Sequence, residues 1–142
     1  MKTKPILLVE DDKIDALTVQ RALKQIGEEN VLIVAKDGET AISVLENHDT
    51  PKPFLILLDL NMPKMNGVEF LLKLKSNKEF KTVPVVVVTT SSDERDIKKS
   101  YDAGAAGYFI KPVDYNDFVV ILDRIVSYWK ACILPEEEGW YD

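Results

Sequence analysis

Four short apolar runs in this chain each end on a residue able to do chemistry. Ile6-Leu7-Leu8-Val9 leads into Glu10, Asp11 and Asp12, and Phe54-Leu55-Ile56-Leu57-Leu58 leads into Asp59. Val85 to Val88 is followed by Thr89 and Thr90, and Gly107-Tyr108-Phe109-Ile110 by Lys111. Carboxylates brought together repel unless a cation or protons intervene. An all-oxygen set without His or Cys favours magnesium over zinc, and magnesium takes one or two carboxylates while keeping several waters. An ion held that way leaves positions open for a phosphate oxygen. Lys111 offers a point charge and Thr89 a hydroxyl to the same phosphoryl group. Asp59 is then the natural nucleophile, since carboxylates form aspartyl-phosphates.

Each residue alone has an ordinary explanation. A carboxylate after a strand is more often a helix cap or a solvated turn residue, and Asp12 reads best as an N-cap. Thr89 could be a β-branched strand residue, Lys111 a surface charge, and Tyr108 simple packing in a short strand. What none of these explanations covers is five groups arriving together from four strand ends.

The elements that must position them follow from periodicity. Ile6 to Val9 lacks polar alternation and reads as a strand buried on both faces. From Asp12 to Gly27, Ala16, Val19, Leu23 and Ile26 recur at helical spacing, and Gly27 suits a helix C-terminus. Val31 to Val34 predicts a second strand, and Asp37-Gly38 opens a helix carrying Ala41, Ile42 and Leu45. Residues 47–53, with two prolines, form a loop that holds the single histidine, His48. Phe54 to Leu58 is the third strand, and a helix with Leu71 and Leu74 follows Asn66-Gly67. Pro84 opens the fourth strand. Ser92 or Asp93 caps a helix ending near Gly104, Gly107 to Ile110 is the fifth strand, and Asp114 caps a last helix reaching Cys132. Strands alternating with helices imply right-handed crossovers and a doubly wound parallel α/β sheet. In such sheets ligands bind outside the carboxyl ends of the strands, where the reactive residues gather.

With 142 residues the chain fits one domain on the prior of about 100–200 residues per domain. Hydrophobic residues at 46% and charged residues at 30% suit a folded globular protein. A net charge of -6 argues against binding a phosphate backbone, so no nucleic-acid partner is expected. One cysteine excludes an intramolecular disulfide and suits the reducing cytoplasm. No run is long enough to span a membrane, and no secretory signal is visible. Residues 1–133 are expected to form the domain and 134–142 an acidic and aromatic tail.

The residues resemble the receiver domain of two-component response regulators. Val9-Glu10-Asp11-Asp12, the loop from Leu57 to Gly67, Pro84 to Thr89, and Gly104 to Pro112 are similar to that family's motifs, in order and in register. The resemblance implies a flavodoxin-like fold of five strands in order 2-1-3-4-5 with five helices. It implies that Asp59 accepts a phosphoryl group from a sensor histidine kinase or phosphotransfer protein. Mg2+ would sit on Asp11, Asp59 and the backbone carbonyl of Asn61, with Glu10 acting mainly through a coordinated water. Thr89 and Lys111 would hold phosphate oxygens, and Tyr108 would turn inward as Thr89 moves. Asn61 and Ser91 would flank the attacking water and tune dephosphorylation, and the Lys111-Pro112 bond would be cis. The Thr89-Thr90-Ser91-Ser92 run and the Trp-bearing last helix resemble the small phytochrome-associated response regulators.

The expected role is a stand-alone signalling receiver rather than an enzyme, whose output is contact with a downstream target protein. A phosphohydrolase of the haloacid dehalogenase type needs a second acid two residues after the nucleophile, where this chain has Asn61. A flavodoxin-like cofactor binder needs a phosphate-cradling loop where this chain has three acids. A homodimer through the face from the fourth to the fifth helix is a further expectation, with Trp129, Trp140 and Tyr141 as anchors. The alternative is that Trp129 covers the core.

Overall fold

The computed structural model describes residues 4–62 and 65–135. Strands β1 (Ile6–Val9), β2 (Leu32–Ala35), β3 (Leu55–Leu58), β4 (Val85–Thr89) and β5 (Gly107–Ile110) alternate with five helices. These are α1 (Lys13–Gln25), α2 (Gly38–Glu46), α3 (Gly67–Lys75), α4 (Glu94–Asp102) and α5 (Tyr115–Ala131). The sheet is parallel throughout, in order 2-1-3-4-5.

Both faces of the central strands are covered, which is why their sequences read as unbroken apolar runs. Leu7, Val9, Ile56, Leu58, Val85 and Val87 point to one face, packed with Ala41, Leu45, Phe70, Leu71 and Leu74. Ile6, Leu8, Leu55, Leu57, Val86 and Val88 point to the other, packed with Val19, Leu23, Phe118, Leu122 and Ile125. Trp129 lies against this second cluster, so it covers core.

Every helix begins on an Asp or Asn whose side chain accepts backbone N–H bonds of the first turn: Asp12, Asp37, Asn66, Asp93 and Asp114. Of the two cap candidates for α4, Asp93 takes the position. Helix α1 stops at Gln25, and Gly27 follows at φ +78, a conformation that glycine adopts without strain.

The second strand sits one residue later than expected, at Leu32–Ala35. Val31 still offers its carbonyl to the Ile6 N–H, but its side chain is exposed. As an edge, β2 is covered less than the central strands. The Lys111-Pro112 bond is trans, correcting the cis geometry implied by the resemblance, since no cis bond occurs among the described residues. Trans is the commoner state before proline by about 0.5–1 kcal/mol, and here the Lys111 N–H donates to the Thr89 carbonyl at 2.7 Å. The tail from Glu136 onward lies outside the described residues, as does its proposed anchoring role.

Candidate functional site: a buried carboxylate cluster with one lysine

The sheet register brings the reactive residues to one edge. Val9 pairs with Leu58, so Glu10 and Asp59 leave adjacent strands side by side. The Asp59 N–H donates to the Val9 carbonyl and the Glu10 N–H to that of Ala35, extending the ladder one step past the strands. Val88 and Thr89 pair with Phe109 and Ile110, which sets Lys111 just beyond β5.

Glu10 and Asp59 are buried while Asp11 is exposed, and carboxylate oxygens of all three lie within 4.8 Å of one another. Lys111 closes the cluster. Its Nζ is 2.8 Å from Glu10 Oε1, 3.5 Å from Asp15 Oδ2 and 3.9 Å from Asp59 Oδ2. The short bond goes to Glu10; Asp59 Oδ1 accepts a long 3.4 Å bond from the Asn61 N–H, and Oδ2 stands 3.9 Å from the ammonium. Burial pushes the Glu10 carboxyl up to about 7; the Lys111 hydrogen bond opposes this, and the Asp59 charge adds to it. Burial also pulls the Lys111 ammonium down, but the Glu10 hydrogen bond and the charges of Asp59, Glu10 and Asp15 outweigh it. Its pKa ends above the usual value, and the lysine stays charged.

An oxygen-only donor set with two buried members and one facing solvent fits a hard divalent cation that retains waters. The loop after Asp59 is held close by Gly67 at the start of α3. A Cβ there would come within 2.7 Å of the Leu60 Cα and 3.0 Å of the Asp59 carbonyl oxygen.

Thr89 is fully buried, and its hydroxyl accepts a long 3.5 Å bond from the Ser91 N–H. Tyr108 is half-buried; its hydroxyl donates to the Ser91 carbonyl at 2.9 Å, and its ring packs on the α2–α3 face of the sheet. Asp12 caps α1, as expected. His48 is exposed, in the loop feeding the amino end of β3 and therefore at the opposite pole of the sheet. It lines an open groove of about 590 Å³ with Lys52, Lys78 and Phe80, so room alone does not mark the site. Two residues escaped the reading of strand ends. Asp15 lies one turn into α1, where its spacing after Asp12 was the available signal, and Asp96 on α4 accepts the Ser91 hydroxyl at 2.6 Å.

A model of the response regulator receiver domain matches residues 6–123. The chain belongs to that family. Rcp1 of Synechocystis sp. is 42% identical over 130 residues, covering 89% of this chain and 88% of that protein. The crystal structure of Mn(2+)-bound Rcp1 superposes with a TM-score of 0.83 at 40% identity, over 94% of this chain and 99% of that one. That of the phosphorylated cyanobacterial phytochrome response regulator RcpA gives 0.87 at 36%, over 95% and 100%. Receiver domains are regulatory phosphoacceptors of two-component signalling, working with histidine kinases or phosphotransfer proteins and downstream targets. They hold a divalent metal at an acidic site, the chemistry that the carboxylates here can supply. Among the described residues of this receiver, no helix is long and apolar enough to cross a membrane.

Proposed function

We propose that Asp59 is the phosphoacceptor of this response regulator, and that Glu10, Asp11, Asp59 and the Asn61 carbonyl hold Mg2+ beside it. The observation that carries the reading is the division of labour around Lys111: its ammonium satisfies Glu10 at 2.8 Å and stands 3.9 Å from Asp59. Asp59 is thus buried, close to a cation, and still has an oxygen to offer. Bound Mg2+ supplies positive charge that offsets the crowded carboxylates and the incoming phosphoryl oxygens.

An Asp59 oxygen forms a bond to phosphorus as the bond from phosphorus to the donor phosphohistidine nitrogen breaks, the electron pair leaving with the imidazole. Lys111 shifts from Glu10 toward the new phosphoryl oxygens, and the Thr89 hydroxyl donates to another. Tyr108 and Thr89 form the switch, and Asn61 and Ser91 flank the water that later hydrolyses the acyl phosphate. The domain spans residues 1–133, acts as a stand-alone cytoplasmic receiver, and signals through a target protein. Exposed Tyr101, Ile110 and Val120 leave the α4-to-α5 face open to a second copy. Sedimentation with and without acetyl phosphate tests that homodimer, and an unchanged monomer overturns it.

Intact-mass spectrometry after incubation with acetyl phosphate tests the phosphoacceptor. A gain of one phosphate that needs Mg2+ and disappears in Asp59→Asn is expected. A gain that survives Asp59→Asn, or no gain at all, overturns the reading.

A further inference from the structure

Helix α4 buries little apolar surface of its own, its C-cap Ala103 alone joining the core cluster, and its first turn is tied to the β4–α4 loop by a polar contact. Within it only Ser100 is buried, and the Ser100 hydroxyl donates to the Asp96 carbonyl at 2.7 Å. The Asp96 side chain makes the contact off the helix: Oδ2 accepts the Ser91 hydroxyl at 2.6 Å. Ser91 in turn is a junction of three elements. Its N–H points to Thr89 Oγ1 at the end of β4, its carbonyl accepts the Tyr108 hydroxyl from β5, and its Oγ accepts the N–H of Asp93, the α4 cap.

We propose that Asp96 is a positioning residue: by gripping the Ser91 hydroxyl, it fixes the carbonyl that Tyr108 uses and, with it, the seat of α4. A hydroxyl given to a carboxylate is a short, charge-assisted bond, stronger than the neutral contacts around it. Within α4 no apolar side chain is fully buried; Ile97 is half-buried, and Ala103 is buried only at the C-cap, far from the first turn that Asp96 holds. The role of this grip in signalling rests on the phosphoacceptor reading. A phosphoryl group on Asp59 that draws in the Thr89 hydroxyl takes away the acceptor of the Ser91 N–H, and the strain passes through Ser91 to Asp96 and Tyr108. The charge of the same carboxylate is also felt by the phenol. Burial pushes the Tyr108 hydroxyl pKa up, the Ser91 bond opposes that, and the charges of Asp96, Asp93 and Asp59 add to it.

The competing explanation is that Asp96, an acid in the first turn, only stabilises the α4 dipole. Asp96→Asn separates the two, because it keeps a hydrogen-bond acceptor and removes the charge. The full chain labelled with 3-fluorotyrosine, its Tyr108 resonance assigned with Tyr108→Phe, is followed by fluorine NMR beside hydrogen exchange of the α4 amides. Asp96→Ala and Ser91→Ala should both move the Tyr108 resonance toward its unfolded position. Both should speed α4 exchange about tenfold, the equivalent of one net hydrogen bond, with α1 exchange unchanged; Asp96→Asn, which keeps a weaker neutral bond, should fall between wild type and Asp96→Ala. Equal effects of Asn and Ala, or an unmoved Tyr108 resonance in Asp96→Ala, overturn the proposal. If Asp96→Ala fails to fold, Ser91→Ala carries the same decision. None of these readouts uses a phosphoryl group, so they fail or succeed separately from the acetyl phosphate test.

Discussion

Helices α1 and α4 each follow a strand whose carboxyl end bears a site residue, yet they are held in opposite ways. Helix α1 buries Ala16, Val19, Ala22 and Leu23 in the apolar layer it shares with α5. Its flank is pinned further by Arg21 over the Tyr115 ring at 4.5 Å and by Tyr115 donating to Gln25. Helix α4 buries one serine, with Ala103 at its C-cap, and its first turn is tied to the preceding loop by the Asp96–Ser91 hydrogen bond. Apolar burial is non-directional and survives small shifts, whereas a hydrogen bond breaks when its geometry is lost. The carboxylates on the β1 and β3 ends therefore stand on a stiff frame, while the β4–α4–β5 edge has contacts that can be exchanged.

Changes that break the frame should cost most. Leu23→Ala removes a buried side chain from the α1 face and should destabilise the whole domain by about 2–5 kcal/mol, read as a shifted urea midpoint. Gly67→Ala forces a Cβ onto Leu60 and the Asp59 carbonyl. About 1–3 kcal/mol of overpacking strain is expected, together with weakened Mg2+ binding by titration calorimetry, because the loop that must shift carries Asp59 and Asn61. Unchanged metal affinity in a destabilised variant would show that the loop is less tightly coupled to α3 than the packing implies.

Glu10 sharpens the comparison from the charge side. Its folded pKa is raised from 4.5 to about 7, so between those values the folded chain holds a proton that the unfolded chain has released. That contribution is fully present below about pH 4.5 and is lost as pH rises through about 7. Denaturant melts in chelator should therefore show stability falling by about 1–3 kcal/mol over that window, and Glu10→Gln should flatten the slope. The smallest effect belongs to the edge. Ser100→Ala should cost about 1 kcal/mol and show it locally, as faster exchange in α4 with the global midpoint nearly unmoved.

The stiff half was the legible half. Unbroken apolar runs such as Ile6 to Val9 and Phe54 to Leu58 read as strands covered on both sides, and the residues after them had to share one edge once the sheet was parallel. The caps Asp12 and Asp114 were readable for the same reason, as was the choice between Ser92 and Asp93, since a cap depends on its own next three residues. The edge was less legible. Lys111 meets Asp15 and Glu10, and Ser91 meets Asp96 and Tyr108, through contacts set by the packing of α1 and α4 rather than by local spacing. The β2 bounds were off by one because Val31 to Ala35 is apolar throughout, and an unbroken run does not mark which residue starts the pairing.

The most direct test of the contrast is hydrogen exchange on the wild-type chain, bare and after a confirmed one-phosphate gain from acetyl phosphate and Mg2+. Protection should change mainly between Thr89 and Ile110, with α1, β1 and β3 nearly constant. An equal change across the sheet, or one concentrated in α1, would contradict the account.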